Sequence, residues 1–416
     1  MTIQEFLNGS YTAYHTTANV VELLKSNGFV ELTHDGKAKK WNLVRGGKYF
    51  VTRNGSSVIA FVVGKNNVFN VCESHTDSPS FKVKGARLVE SEGVKRLNTE
   101  KYGGGLLYSY LDRPLKIAGR VVVETQNGVQ SKVVTSDYNV VIPSLAIHHN
   151  PTANDSLLLN PQLDTLPMLA QNECELYATL TDGKVLDADL YVVPDEKAFI
   201  SGVNGEFLSS PRLDNLTSVY TSIQAILTAK PNNIAVVSCL DNEEIGSGTR
   251  QGSPNFINQV LDAIAEGLNM SYAENLAARE NGMVLSVDNG HAIHPAHPEK
   301  SDPLNRVHLN GGVVIKHHTN YATDGLTSAA FKRLLDMACV KYQDYYNRSD
   351  LRCGTTLGLA TANRTGMKTC DIGIAQLAMH SACETCGVND IETMQKALGA
   401  FVCANINGTD NITIKM

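Results

Sequence analysis

No stretch of this sequence is long and apolar enough to cross a bilayer, and nowhere do lysine and arginine gather into a basic run. The first absence excludes a membrane-spanning function. The second, with a formal net charge of −6, argues against a nucleic-acid partner, which needs a positively charged face. Residues 1–6 hold neither the basic nor the apolar segment of an export signal, so a cytoplasmic location is expected. Cysteine is scattered singly, nine residues from Cys72 to Cys403, an odd count without framework spacing. That pattern suits reduced thiols better than disulfides. Cys383-Glu-Thr-Cys386 is the exception, but it has no second half to complete a zinc site and reads as two ordinary thiols. There is no Gly-x-Ser-x-Gly elbow, and Gly103-Gly-Gly105 lacks the Lys-Ser/Thr of a phosphate loop. With no nucleophile of its own in evidence, the chain is expected to use water.

With 43% hydrophobic residues over 416 positions, the chain can bury an ordinary core in roughly two or three domains. Helical spacing over residues 13–25 is followed by β-rich runs at 58–63 and 68–72. Between about residues 84 and 204 the texture changes. Strand-like runs at 115–124, 132–135, 140–147, 173–180 and 190–193 alternate with Gly, Asn, Asp and Pro, and hardly any helical period is visible. This middle block reads as a β-rich domain inserted into an α/β parent. The α/β alternation then resumes. Helices are expected at 216–228, 255–268, 328–346, 355–364 and 391–405, and strands at 234–240, 283–287, 312–316 and 369–374.

Five short islands interrupt these elements: Ser-His-Thr-Asp at 74–77, Arg-Leu-Asp-Asn at 212–215, Asn-Glu-Glu-Ile-Gly-Ser at 242–247, Val-Asp-Asn-Gly-His at 287–291 and Met-His-Ser at 379–381. Singly, each has a bland explanation. Asp214 could cap a helix, Asp288 could start a turn with Asn289-Gly290, and Glu243-Glu244 could be an acidic turn in solvent. Together they supply hard oxygens and imidazoles after apolar runs, as a pair of metal ions with a carboxylate base requires. Adjacent carboxylates at a strand end point in different directions, so one of Glu243 and Glu244 can bind metal while the other faces the attacking water. His75 and His380 lie at the ends of apolar segments, and Asp77 is near enough to His75 to orient its ring. His291, His294 and His297 form a further cluster, but Pro295 and Pro298 prevent their alignment on one helix face, so at most His291 is expected in the site.

This ordered set resembles the M18 metallopeptidases, the aspartyl aminopeptidase group, across nearly the whole chain. The resemblance implies a zinc-exopeptidase-like α/β/α catalytic domain made of residues 1–84 and 205–416, with an inserted β-rich dimerisation domain at 85–204. It implies two Zn2+ ions per subunit, with Co2+ or Mn2+ as substitutes. His75, Asp214 and Asp288 would hold one ion, Asp214, Glu244 and His380 the other, and Asp214 would bridge them. Glu243 would be the general base and Asp77 would orient His75. Substrate contacts would fall to His291, Lys316, Tyr321 and, from a neighbouring subunit, His148, with His149 the alternative. The implied reaction is release of the amino-terminal residue, acidic by preference, from short peptides. The family's assembly, a tetrahedral dodecamer built from dimers, is implied as well. The rival expectations are a leucine preference at the same site, an N-acyl-amino-acid deacylase or carboxypeptidase, and a non-enzymatic assembly protein.

Overall fold

The computed structural model describes residues 1–33 and 40–416. Its centre is a nine-stranded sheet in the order Val30–Glu31, Lys48–Arg53, Ser57–Val62, Ile234–Leu240, Phe69–His75, Met283–Val287, Lys368–Gly373, Val313–His317 and Tyr342–Tyr346. Four of these strands, Ile234–Leu240 through Lys368–Gly373, run parallel side by side. Parallel strands buried on both faces should read as continuous apolar runs, and Ile234–Leu240 is buried at every position. The period of two then divides its residues. Ala235, Val237 and Cys239 enter one core, and Ile234, Val236 and Leu240 enter the other.

The first core is closed by helices Ala13–Ser26, Leu213–Leu227, Gly325–Met337 and Val388–Cys403, which bury Val20, Ile223, Leu334 and Phe401. The second is closed by Asn255–Gly267 and Tyr272–Glu280 through Phe256, Val260, Leu261 and Ala278. Each fully buried large side chain contributes about 1.5–3 kcal/mol. The result is a three-layer arrangement in which the carboxyl ends of the parallel strands share one edge, the usual ligand edge of an open α/β sheet.

A separate six-stranded antiparallel sheet takes the order Gly128–Thr135, Leu115–Thr125, Val185–Pro194, Ser80–Ser91, Val94–Tyr102, Met168–Ala170, around its own core of Phe81, Leu97, Ile117 and Leu190. The strand Ser80–Ser91 runs through residue 84. A five-stranded sheet, Phe199–Ser201, Phe207–Ser210, Glu384–Gly387, Ala375–Leu377, Gly290–His291, borders the ligand edge. Among the described residues no helix is long and apolar enough to cross a membrane.

Three expected elements differ. The single helix expected over 328–346 is a helix, Gly325–Met337, and then a parallel edge strand, Tyr342–Tyr346. Cys339 adopts φ 52° between them, and the three tyrosines that follow suit a pleated surface better than a helix. Residues 140–147 form only isolated bridges at Val140 and Val141, since Pro143 has no N–H for a ladder. Residues 173–180 contain a 3-10 turn, Leu176–Thr179, rather than a strand. The helix Tyr272–Glu280 was not expected from the sequence. It is announced by a capping box between Ser271 and Glu274.

Candidate metal centre

His75 is the last residue of Phe69–His75, and Asp288 follows Val287 at the end of the adjacent strand. Backbone register therefore brings these two to one edge. Asp214 enters from the first turn of Leu213–Leu227, where its φ/ψ of −79°, 109° are not helical, so the helix does not use it as a cap. Its N–H donates to Glu384 Oε2 at 2.9 Å, and its carbonyl accepts from Ser78 Oγ at 2.6 Å. The carboxylate is left pointing between two imidazoles. His75 Nε2 lies 3.4 Å from Asp214 Oδ1 and 3.6 Å from Asp288 Oδ1. His380 Nε2 lies 3.4 Å from Asp214 Oδ2 and 3.4 Å from Glu244 Oε1.

These separations are informative because donors about 2.1 Å from one zinc ion in a tetrahedron stand about 3.4 Å apart. Donor atoms of His75, Asp214 and Asp288 all lie within 4.8 Å of one another, and so do those of Asp214, Glu244 and His380. A third set, His75, Glu243 and Glu244, overlaps both. Asp214 Oδ1 and Glu244 Oε1 are buried without a hydrogen-bond partner. An orphaned buried oxygen costs about 1–3 kcal/mol. The residues thus fit a pair of metal ions that share Asp214.

The donor residues are held by a second set of contacts. His75 Nδ1 is 3.1 Å from the Asp77 carbonyl, which leaves Nε2 for Asp214 and Asp288. The Asp77 carboxylate accepts from the N–H groups of Glu243 and Glu244 at 3.1 and 3.2 Å, and from Tyr102 OH at 2.6 Å. It therefore fixes the turn that carries both glutamates. Asn242 completes that anchor, its φ of 63° held by hydrogen bonds to Tyr102, Thr249 and Gln251. Glu384 accepts from the N–H of His380 at 2.6 Å as well as from that of Asp214, tying the two donor residues together. His380 Nδ1 faces the Gly104 carbonyl at 3.2 Å.

Burial sets the protonation of this cluster. It pushes Glu243 up to about 8 against the pull of His75, and nearby Asp288 and Asp77 add to the rise. Burial also raises Glu244 well above the carboxylate range and Glu384 to about 8. It opposes charge on the histidines, but the hydrogen bond to Asp214 and the charges of Glu244, Asp214 and Glu384 together outweigh it and raise His380 to about 10. His75 is likewise held well above its usual value by Asp214, Asp288 and Asp77. Asp214 itself is held low, since hydrogen bonds from His380 and His75 overcome burial.

The cluster opens on a cleft of about 280 Å3 whose walls include Glu243, His291, Lys316 and Tyr321. No hydrogen bond ties down the Glu243 carboxylate among the described residues, and Glu243 lines the cleft. Lys316 is buried rather than a solvated edge charge. Its ammonium donates to the Asn289 carbonyl at 2.9 Å and lies 3.9 Å from Asp288 Oδ2. His148 and His149 are exposed on a turn of the middle block and do not line the cleft of their own chain. His294 and His297 stay outside it too. The sequence reading missed Glu384, Tyr102, Tyr345 and Thr356. Glu384 sits inside the Cys383-x-x-Cys386 motif, where attention to the thiols hid it.

The family described as "Aminopeptidase I zinc metalloprotease (M18)" matches residues 6–402. The chain belongs to the M18 family. It is a metalloaminopeptidase. An M18 relative from Clostridium acetobutylicum, named "Probable M18 family aminopeptidase 2", is 37% identical over 95% of this chain and 96% of its own length. Among solved M18-like folds, the Ape4 chain of an Ape4–Nbr1 complex superposes with a TM-score of 0.89 at 33% identity, covering 96% of this chain and 84% of that one. A chain of the mApe1 dodecamer of S. cerevisiae superposes at 0.79 with 26% identity, over 96% and 95%.

Proposed function

We propose that this M18 chain removes the amino-terminal residue, acidic by preference, from short peptides, using two zinc ions per chain. The observation that carries this reading is the set of donor separations of 3.4–3.6 Å on either side of Asp214. His75, Asp214 and Asp288 would hold one ion, and Asp214, Glu244 and His380 the other; Co2+ or Mn2+ would substitute. When bound, zinc would supply Lewis acidity, lowering the pKa of water and countering negative charge on the scissile carbonyl.

The chain's own residues do the rest. Glu243 takes the proton of the attacking water and returns it to the leaving amine. Asp77 holds the Glu243–Glu244 turn and the His75 ring in register. Lys316, with donors to spare beyond Asn289, offers positive charge to an acidic first side chain, beside Tyr321 and His291. His148 is proposed to enter a neighbouring chain's cleft and donate to the developing oxyanion. Its exposed turn belongs to a stretch in which Leu145, Ile147, Leu157, Leu158 and Leu163 are all exposed, a concentration of apolar side chains that suits an interaction surface. We therefore read the inserted block, residues 85–204, as a dimerisation domain, and dimers as the units of a tetrahedral dodecamer, in line with the dodecamer formed by mApe1. The nine free thiols suit a cytoplasmic location.

One observation favours a second specificity. Lys316 is already bonded to Asn289 and close to Asp288, and the aromatic rings of Tyr321 and Tyr345 line the same cleft. An apolar first residue such as leucine would suit those rings. A panel of Asp-, Glu-, Leu- and Lys-amides decides, and a clear leucine preference overturns the acidic reading alone. Glu243→Gln tests the mechanism. Zinc content is expected to stay at two per chain while turnover falls on the order of 10²–10⁴-fold. Near-normal turnover in that zinc-loaded variant removes Glu243 as the base.

A further inference from the structure

Beside the metal cleft lies a second cavity, also of about 280 Å3, and the two share His291 and Tyr345 as walls. Their linings differ. The cleft is walled by Asp214, Glu243, Glu244 and Asp288, whereas the second chamber presents Lys300, Arg348 and Arg352 and no carboxylate at all. In a chain of net charge −6 a cavity lined by three cations and no carboxylate stands out as a place for an anion. Arg348 is already satisfied, its Nε 2.6 Å from Asp350 Oδ1. Lys300 and Arg352, both exposed, take part in no ion pair among the described residues, although Glu299 and Asp350 lie near enough to Lys300 to feel its charge.

We propose that this chamber is an anion subsite for the carboxylate-bearing end of the peptide beyond the scissile bond, with Arg352 and Lys300 as its cations. The inference rests on the aminopeptidase reading and adds to it a preference for short peptides with a free carboxyl terminus. Reach favours this assignment. One extended residue spans roughly 3.5 Å, so the terminal carboxylate of a di- or tripeptide lies only one or two residues past the bond that is cut. The two cavities adjoin, since they share the side chains of His291 and Tyr345 as walls. A guanidinium pairs with a carboxylate through two parallel N–H groups, which gives Arg352 direction as well as charge.

The test uses the zinc-loaded full chain and tripeptides with one amino-terminal residue, differing only in a free or amidated carboxyl end. The free acid should show a kcat/KM roughly three- to fivefold above the amide, the size of a partly exposed ion pair. The difference should lie in KM, because the contact is made equally before and during reaction. Arg352→Gln and Lys300→Gln should each draw the acid-to-amide ratio toward one, with zinc content unchanged. Equal rates for acid and amide in the native chain, or a ratio untouched by both substitutions, overturn the subsite and leave the aminopeptidase reading standing. Loss of an Asp-over-Leu preference at the first residue in Arg352→Gln, with the end-group ratio intact, also overturns it, since the chamber would then hold the first side chain. Hydrolysis of neither peptide overturns both readings.

Discussion

The two donor trios meet at Asp214 but are built in different ways. His75 and Asp288 stand at the ends of adjacent parallel strands in the middle of a nine-stranded sheet, and the His75 side chain is 2% exposed. Glu244 lies in a one-turn 3-10 segment, and His380 sits at φ 67° between two short strands with its side chain 28% exposed. In the first trio, sheet register does the positioning. In the second, hydrogen bonds to Asp77, Glu384 and Gly104 do it. A centre on sheet ends is pre-organised by the whole fold, whereas one on turns depends on a few supporting contacts.

The largest test of that contrast removes what the trios share. Asp214→Asn is expected to lose both zinc ions and essentially all turnover, and two tightly held ions in that variant, by metal analysis, would dissolve the two-trio description. Next, the trios should part company. His380→Ala is expected to keep one zinc per chain at near-native thermal stability, whereas His75→Ala should lose one zinc and destabilise the metal-loaded protein further. Equal melting temperatures and equal metal loss for the two would erase the distinction.

A smaller effect probes the supporting shell. Glu384→Gln leaves one oxygen to accept an N–H but puts an amide nitrogen where the second stood, so only one of the Asp214 and His380 N–H groups keeps its partner. It should weaken the ion at Asp214, Glu244 and His380 by roughly 10–100-fold in a chelator competition while the ion at His75, Asp214 and Asp288 is little changed. Uniform weakening of both would show that Glu384 supports the whole site.

The smallest effect is on pH. In the metal-free chain His380, raised to about 10, and Glu244, raised well above its ordinary range, hold protons that zinc must displace. Zinc binding should therefore release protons and weaken as pH falls, by about tenfold per unit for each proton displaced. Proton uptake on binding, measured in weak buffer, would contradict that assignment.

How far the sequence could be read varied with the kind of residue. His75 and Asp288 follow apolar runs whose burial the hydrophobic pattern announces, so the strand ends and their ligands were visible together. Asp214 was visible as a residue but not as a conformation, since nothing local distinguishes it from a helix cap. Tyr342–Tyr346 was absorbed into a helix because its pairing partner, Val313–His317, is distant in the chain. Glu384 and Tyr102 carry no motif of their own. Their roles come from hydrogen bonds to residues brought near by the fold.

By itself the sequence determined the layered α/β parent, the β-rich middle block and the residues able to bind metal, because burial period and donor chemistry are local properties. Only the tertiary structure decided which donors stand 3.4 Å apart, that Lys316 is buried against Asn289, and that a chamber lined by cations adjoins the metal cleft. Those are facts about distance between segments far apart in the chain, and distance is set by sheet register and packing rather than by any single stretch of residues.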